Sequence, residues 1–285
     1  VRSLARLARF REGSGLTPAR VRTFRSIILG HYREHGRAFP WRETREPYAI
    51  LVSEFMLQQT QTSRVERKYA PFLAEFPTID ALARASLARV LGAWQGLGYN
   101  RRARALRLAA EEIVSRHHGQ VPADEAALRA LPGIGQSTAA AVRAFAFGLP
   151  SVMIETNVRR VYLHAFFPRA EAVTDREIAP LVERTMHRAD PRTWYYALMD
   201  VGVALAHHTR NPNRRSAHYT RQSTFEGSAR QRRARVLRHL IDHGPSAPGA
   251  LADALGLAPG EVNEALGTLK ADGLATPMRT RWRAG

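Results

Sequence analysis

Leu131-Pro132-Gly133-Ile134-Gly135-Gln136-Ser137-Thr138-Ala139-Ala140-Ala141 is the stretch that decides the fold of this 285-residue chain. A helical segment over 124–130 precedes it, and an Ala-rich helical segment follows. Two glycines two residues apart permit a tight hairpin with backbone angles closed to residues that carry a Cβ. Gln136-Ser137-Thr138 then opens a helix. Backbone N–H groups in such a turn and at such a helix start lack internal partners. Gly133, Gly135, Gln136, Ser137 and Thr138 therefore form a cradle for a phosphate oxygen. Helix, Gly-x-Gly hairpin, helix is a device for holding a nucleic-acid backbone without reading its sequence. Read alone, the same residues also fit an ordinary tight turn between helices, because a short Gly-x-Gly is a weak motif.

Composition favours the first of these readings. With 43 Lys and Arg against 25 Asp and Glu, the formal net charge is +18. That excess points to a polyanionic partner, nucleic acid before an anionic membrane surface. Nearly all of it is arginine, the only lysines being Lys68 and Lys270. There is no cysteine, which excludes disulfides, thiol nucleophiles and cysteine-ligated zinc or iron–sulfur clusters. No apolar run approaches the roughly 20 residues of a membrane span. No secretory apolar core follows the N-terminal arginines, so a cytoplasmic location is expected.

Along the chain, residues 1–20 read as a basic arm. Residues 21–210 read as an all-α body, because helical apolar spacing recurs throughout (Val21, Phe24, Ile27, Ile28 and Tyr32 in the first helix) and no strand alternation precedes residue 225. Later helices are expected over 48–61, 65–76, 79–85, 87–94, 102–117, 138–147, 158–166, 177–187 and 191–206, punctuated by Pro77, Gly96-Leu97-Gly98 and Gly119. Residues 211–228, rich in Arg, Asn and Ser, read as a polar linker. Residues 229–285 read as a small module with three helices and a short strand pair, 273–276 with 279–283, carrying a basic tip at Trp282. That order fits a winged helix-turn-helix with 259–272 as the recognition helix. A three-helix interaction module is the alternative.

Two carboxylates stand out. Glu54 lies inside the near-continuous apolar run Ile50 to Leu57. A carboxylate there is costly unless paired, protonated or used, and burial raises its pKa toward that of a general acid; a structural carboxylate capping a neighbouring helix is the other reading. Glu155, after Met153-Ile154, falls at the start of the helix beginning near Val158. There an acidic side chain is favoured by the helix dipole alone. One protonated and one ionised carboxylate are what glycosidic bond cleavage needs. Beside a phosphate-gripping hairpin, the pair suggests removal of a base from DNA. The histidines His117-His118, His207-His208 and His218 have no acidic partner at ligand spacing on one helix face, and no metal site is expected.

Pro40-Trp41-Arg42, Pro47-Tyr48, Ser53-Glu54-Phe55-Met56-Leu57-Gln58-Gln59-Thr60-Gln61, Trp94-Gln95-Gly96-Leu97-Gly98-Tyr99, Leu131-Pro132-Gly133-Ile134-Gly135 and Asn157-Val158-Arg159-Arg160-Val161 together resemble the A/G-mismatch adenine DNA glycosylase branch of the helix-hairpin-helix glycosylases, in matching order over residues 22–206. The resemblance implies a two-lobed all-α body, duplex DNA as partner and a flipped base in a pocket. It assigns Glu54 as the acid that protonates the base and Glu155 as the residue that stabilises the sugar cation or forms a covalent intermediate. Asn157 lies near that pair. Gln58 and Gln59 are implied contacts to the duplex near the flipped base, and Asn100 is expected at the DNA. Independently of the resemblance, Arg101, Arg102, Arg104, Arg159 and Arg160 are expected phosphate contacts. Ser137 stands where the endonuclease III branch has its Schiff-base lysine, so a monofunctional glycosylase without β-lyase activity is expected. A monomer is expected, with no cofactor beyond room for a monovalent cation at the hairpin.

The chain departs from that pattern in four places. Glu155 replaces an aspartate. Asn100 stands where the branch usually has a second tyrosine. The four cluster cysteines after the last body helix are absent, and 229–285 does not match the family's 8-oxoguanine-sensing domain. Adenine in a mismatch is the first expectation for the excised base. A pyrimidine lesion (uracil, mismatched thymine or 5-hydroxymethyluracil) is the second, and a non-catalytic DNA-binding protein on the same scaffold the third.

Overall fold

The protein is described by a computed structural model over residues 2–8, 10, 15–220 and 224–285. It is all-α as expected. The helices are α1 (Arg2–Ala8), α2 (Pro18–His35), α3 (Pro40–Glu43), α4 (Pro47–Leu57), α5 (Thr62–Glu75), α6 (Ile79–Arg84), α7 (Leu87–Trp94) and α8 (Arg101–Arg116). They continue as α9 (Glu125–Ala130), α10 (Gln136–Ala146), α11 (Thr156–Phe166), α12 (Asp175–Thr185), α13 (Pro191–His208), α14 (Ala229–His243), α15 (Pro248–Leu255) and α16 (Pro259–Ala271). A 3₁₀ turn spans Pro212–Arg215, and a hairpin of β1 (Ala275–Pro277) and β2 (Trp282–Ala284) follows α16. No helix among the described residues is long and apolar enough to cross a membrane. The chain divides into two compact units. One is Val1–Ile50, Ala123–Arg129 and Ile134–Arg221; the other is Leu51–Pro122, Ala130–Gly133 and Gln222–Gly285.

The first unit is built on α2, α11 and α13. Phe24, Tyr162 and Trp194 are fully buried in it, with Phe24 5.6 Å from Tyr162 and 6.0 Å from Trp194 between ring centroids. Thr17 caps α2 by accepting from the Arg20 N–H, and Pro18 opens the helix, so α2 begins earlier than Val21. The expected arm at 1–20 is not a simple arm. Leu4 and Leu7, one helical turn apart, are buried on α1, and Phe10 packs edge-on against Phe24 at 5.6 Å. Residues 1, 9 and 11–14 of that arm lie outside the described residues.

The expected linker also changes character. Pro212, Asn213 and Ser216 are buried, and the Val173–Ser216 bridge ties the segment to the chain before α12. The Asn213 amide donates to the Thr156 carbonyl (3.0 Å) and Arg215 to the Leu163 carbonyl (2.9 Å). Polar composition suggests solvent exposure; here the polar groups serve the carbonyls of α11. Residues 221–223 lie outside the described residues.

In the second unit Phe72 lies 4.9 Å from Phe76 and 5.8 Å from Trp94 between ring centroids, and Leu106 and Ile113 on α8, which packs against α7, are fully buried. Residues 222–285 belong to this unit. Val236, Leu237 and Leu240 on α14, Leu251 on α15 and Val262, Leu266 and Leu269 on α16, the apolar positions at helical spacing, are buried where α14 packs on α15 and α16. Gln95, just after α7, donates to Asp242 (2.7 Å), and Arg101 pairs with Asp272 at 3.6 Å. In the hairpin Trp282 stands opposite Pro277 and Arg283 opposite Thr276. Trp282 is therefore a strand residue, and the tip is Met278-Arg279-Thr280-Arg281.

Candidate active site

α4 carries Glu54. Pro47 opens it, and the Glu46 carboxylate accepts from the Tyr48 N–H (3.1 Å) and the Ala49 N–H (2.5 Å). Ser53, Phe55 and Met56 are buried while Glu54 is half-buried, so its side chain reaches the rim of the apolar core rather than its centre. The helix ends at Leu57, four residues earlier than the expected Gln61. Gln58 and Gln59 therefore sit in a turn. Gln59 has φ +54° and is exposed, and the Gln58 amide donates to the Gly133 carbonyl at 3.3 Å.

Arg102 holds that turn. Its guanidinium donates to the carbonyls of Phe55 (2.7 Å) and Met56 (2.9 Å), to Thr60 Oγ1 (2.8 Å) and to the carbonyls of Leu97 (3.3 Å) and Gly98 (3.1 Å). The end of the Glu54 helix and the Gly96–Gly98 turn are thus tied together by one side chain. Burial pushes the Arg102 pKa down to about 10. It is not an open phosphate contact. Beside it, Tyr99 is exposed with φ +48°, and Asn100 is the N-cap of α8 without a side-chain capping bond.

The Gly-x-Gly hairpin is where the sequence places it, but its glycines differ. Gly133 has φ +77°, and a Cβ there would lie 2.8 Å from both Ala105 Cβ and Phe55 Cε1. Gly135 has φ −89°, which any residue adopts, and a Cβ there would meet nothing within 4 Å. The expectation that both need glycine for their own conformation holds for Gly133 and fails for Gly135. Gly135 is the N-cap of α10 and has no side chain of its own to cap that helix. Gly133, Gly135 and Gln136 are exposed there; Ser137 and Thr138 are half-buried.

In the other unit, Glu155 is the N-cap of α11. One carboxylate oxygen accepts from the Asn157 and Val158 N–H groups, both at 2.7 Å, and the other from the Asn157 amide at 3.2 Å. Asn157 is held in turn. Its side-chain oxygen accepts from Arg160 (2.7 Å), and the same Arg160 nitrogen donates to the Gly202 carbonyl (2.8 Å). A Cβ on Gly202 would lie 2.5 Å from the Asn157 carbonyl oxygen, so glycine on α13 lets that helix reach the α11 cap. Burial raises the Glu155 pKa above the ordinary glutamate value; the two backbone N–H donors, Arg160 and Arg159 pull against it.

The expected phosphate contacts resolve unevenly. Arg159 forms a forked pair with Asp175, both bonds at 2.7 Å, and Arg160 is buried on Asn157. A Cβ on Gly273 would lie 2.7 Å from Arg104 Nε, so Arg104 lies against the turn after α16. Arg101 alone of this group has a largely open side chain, 71% exposed. Charge in the sequence does not say which arginines already face a carboxylate or a helix end. The residues that sequence reasoning passed over are Gly202 and Asn213, which brace the α11 cap. The only available signal for Asn213 was its position in the segment that lacks cluster cysteines.

A family profile described as "HhH-GPD superfamily base excision DNA repair protein" matches residues 52–192. The adenine DNA glycosylase of Mycobacterium tuberculosis is 41% identical over 182 residues, covering 62% of this chain and 60% of that protein. The chain thus spans about three-fifths of the length of that relative. The adenine DNA glycosylase of Mycolicibacterium smegmatis is 35% identical over 266 residues, covering 87% of this chain and 90% of that protein. A solved thermostable thymine-DNA glycosylase superposes with a TM-score of 0.58 at 27% identity, covering 64% of this chain and 85% of that one. With a relative above 30% identity covered over nine-tenths of its length, and the helix–hairpin–helix in place, this chain belongs to the HhH-GPD superfamily of base excision DNA repair proteins.

Proposed function

We propose that the chain is a monofunctional DNA glycosylase that hydrolyses the bond between a flipped base and its deoxyribose in duplex DNA. The observation that carries this is the α11 cap: a carboxylate fixed by three donors, themselves braced by Arg160 and Gly202, in a chain whose family repairs bases. Glu54 is the acid that protonates the departing base as the C1′–N bond breaks. Glu155 faces the positive charge that develops on the sugar, and water adds to C1′ with loss of its proton to give the 1′-hydroxyl. Preorganised donors keep the carboxylate in place without reorganisation during the reaction. Neither lysine lies on the hairpin, α10 or α11: Lys68 is on α5 and Lys270 on α16. A Schiff base there has no amine, so β-elimination is not part of the reaction.

Adenine mispaired with a purine is the proposed base, supported by the names of the mycobacterial relatives. A mismatched thymine or uracil is the second reading. It is favoured by Glu155 in place of aspartate and by the likeness to a thymine-DNA glycosylase. A single-turnover assay on duplexes carrying adenine opposite guanine or 8-oxoguanine, uracil, mismatched thymine or 5-hydroxymethyluracil separates the two. One duplex is expected to break only after alkali, and Glu54→Gln is expected to abolish that product while retaining binding. Cleavage without alkali would overturn the monofunctional assignment. Unchanged activity in Glu54→Gln would overturn the mechanism, and binding with no product on any duplex would favour a non-catalytic protein.

A further inference from the structure

We infer that the β1–β2 hairpin, and not α16, is the element through which residues 229–285 contact DNA. The inference rests on the proposed action on duplex DNA and adds a second contact to it.

α16 has the position of a recognition helix but not the surface of one. Its exposed side chains include Asn263, Glu264, Thr268 and Lys270, one acid and one base. Glu261 in its first turn accepts from the Ala258 N–H (3.0 Å) and pairs with Arg232 at 3.4 Å. A helix laid in a major groove brings its first turn close to phosphates, and a glutamate there is repelled. Nor does α14 supply a free basic stripe. Arg230 donates to the Thr224 carbonyl, Arg232 faces Glu261, Arg233 binds Asp272 at 2.9 Å and Arg235 donates to the Leu255 carbonyl; Arg238 is exposed without an ion pair among the described residues, a single cation on that helix.

The hairpin is the opposite case. Arg279, Arg281 and Arg283 are exposed and have no ion pair among the described residues. No acidic residue lies between Leu274 and Gly285. Met278, at the tip, is 48% exposed. The register puts Thr276 and Arg283 opposite each other on the outward face, while Ala275 and Ala284 are buried beneath. The hairpin is also fixed before any partner arrives. Trp282 exchanges two backbone bonds with Ser246 (2.8 and 2.9 Å), the Met278 N–H donates to the Arg281 carbonyl (2.7 Å), and the Gly285 N–H donates to the Leu274 carbonyl (3.0 Å). Three forked cations on a preorganised ribbon suit phosphate oxygens, and little backbone ordering remains on binding. Such contacts read no sequence, which suits a protein that must find one altered base among many normal ones.

The test uses the full chain and a lesion-free duplex, with affinity measured by fluorescence anisotropy between 50 and 200 mM salt. The triple variant Arg279→Ala, Arg281→Ala, Arg283→Ala is expected to weaken binding on the order of tenfold or more and to lower the slope of log affinity against log salt by about 2.7, at roughly 0.9 per phosphate contact. The matching triple Arg→Lys variant keeps the charges and is expected to retain most of the slope. A second variant, Asn263→Ala, Thr268→Ala, Lys270→Ala on α16, is expected to stay within about twofold, allowing at most one lost contact. An unchanged slope in the hairpin variant, or a loss confined to the α16 variant, overturns the inference; the basic ribbon would then fit an acidic protein surface instead. A wild-type chain that binds no duplex at all would overturn the functional reading itself, which is a separate outcome.

Discussion

Asp200 and Glu155 are carboxylates in the same compact unit, each with arginines close by, and their surroundings drive their protons in opposite directions. Asp200 is buried on α13. It accepts from the Arg37 N–H (2.9 Å) and Nε (2.8 Å) and from both terminal nitrogens of Arg42 (2.8 and 2.9 Å). Burial works against its charge, but the bonds from Arg42 and Arg37 outweigh it, and the Asp200 pKa falls below its ordinary value. Glu155 is bound by neutral groups, two backbone N–H groups and an amide, while Arg160 is turned onto Asn157. Burial then prevails and its pKa rises. The difference lies in what fills the carboxylate's lone pairs. Direct arginine contact commits a carboxylate permanently to its charge and its place. Neutral donors fix its position but leave its charge unneutralised, which is what a developing cation on a sugar requires.

The largest effect should come from breaking the Asp200 side of this contrast. Asp200→Asn leaves Arg42, 7% exposed, without its counter-charge, and such a loss typically costs about 3–5 kcal/mol. Thermal melting measures it; a melting midpoint equal to wild type would mean that the ion cluster does not hold the unit together. The pH sign follows from the lowered pKa. The stability from ionised Asp200 is fully present above its unfolded value, about 3.9, and is lost as pH falls through the lower folded value. Below that point the gap between variant and wild type should close.

Next is Glu155→Gln. The amide oxygen still accepts from the Asn157 and Val158 N–H groups, so melting should change little. The single-turnover rate should fall by on the order of 10² to 10³, the usual effect of removing one preorganised charge-stabilising group. Because the Glu155 pKa is raised, the wild-type rate should climb with pH through a midpoint above the ordinary glutamate value of about 4.3. A pH–rate profile that lacks this limb, or keeps it unchanged in Glu155→Gln, would remove the chemical half of the comparison.

Arg102→Met sharpens the same point on a smaller scale. It leaves the carbonyls ending α4 and those of the Gly96–Gly98 turn without their donor, costing about 1–3 kcal/mol of stability. If Arg102 is wholly structural, the salt slope of DNA binding should not move. A slope lowered by about one would show that it also touches a phosphate.

The apolar spacing was sufficient to place most of the helices, though not α1 or the end of α4, because 3.6-residue periodicity is a local property and the cores of both units lie along it. Glu155 at a helix start was equally legible, since a cap is set by its neighbours in sequence. What was not legible was the direction of each arginine. Arg102, Arg159 and Arg160 have the composition of a phosphate-binding set, yet they face the end of α4, Asp175 and Asn157. Long side chains choose their partners across 16 to 47 residues of separation in the Asp175 and Phe55 pairs, and no local pattern encodes that choice. The arm at 1–20 and the segment at 211–216 failed for the same reason: polar and basic residues surround Leu4, Leu7 and Asn213, whose burial depends on surfaces supplied from elsewhere.

From the sequence by itself came the all-α class, the Gly-x-Gly hairpin, the strongly basic charge and the absence of cysteine, properties of residue type, short spacing or simple count. The tertiary structure alone decided that Gly133 needs its missing Cβ while Gly135 does not, that Asp200 is held by two arginines while Glu155 is held by N–H groups, and that unpaired positive charge gathers on the 278–283 hairpin rather than on α16. The physical reason is that burial, steric closeness and charge pairing are relations between distant residues, and they acquire values only when the chain brings those residues together.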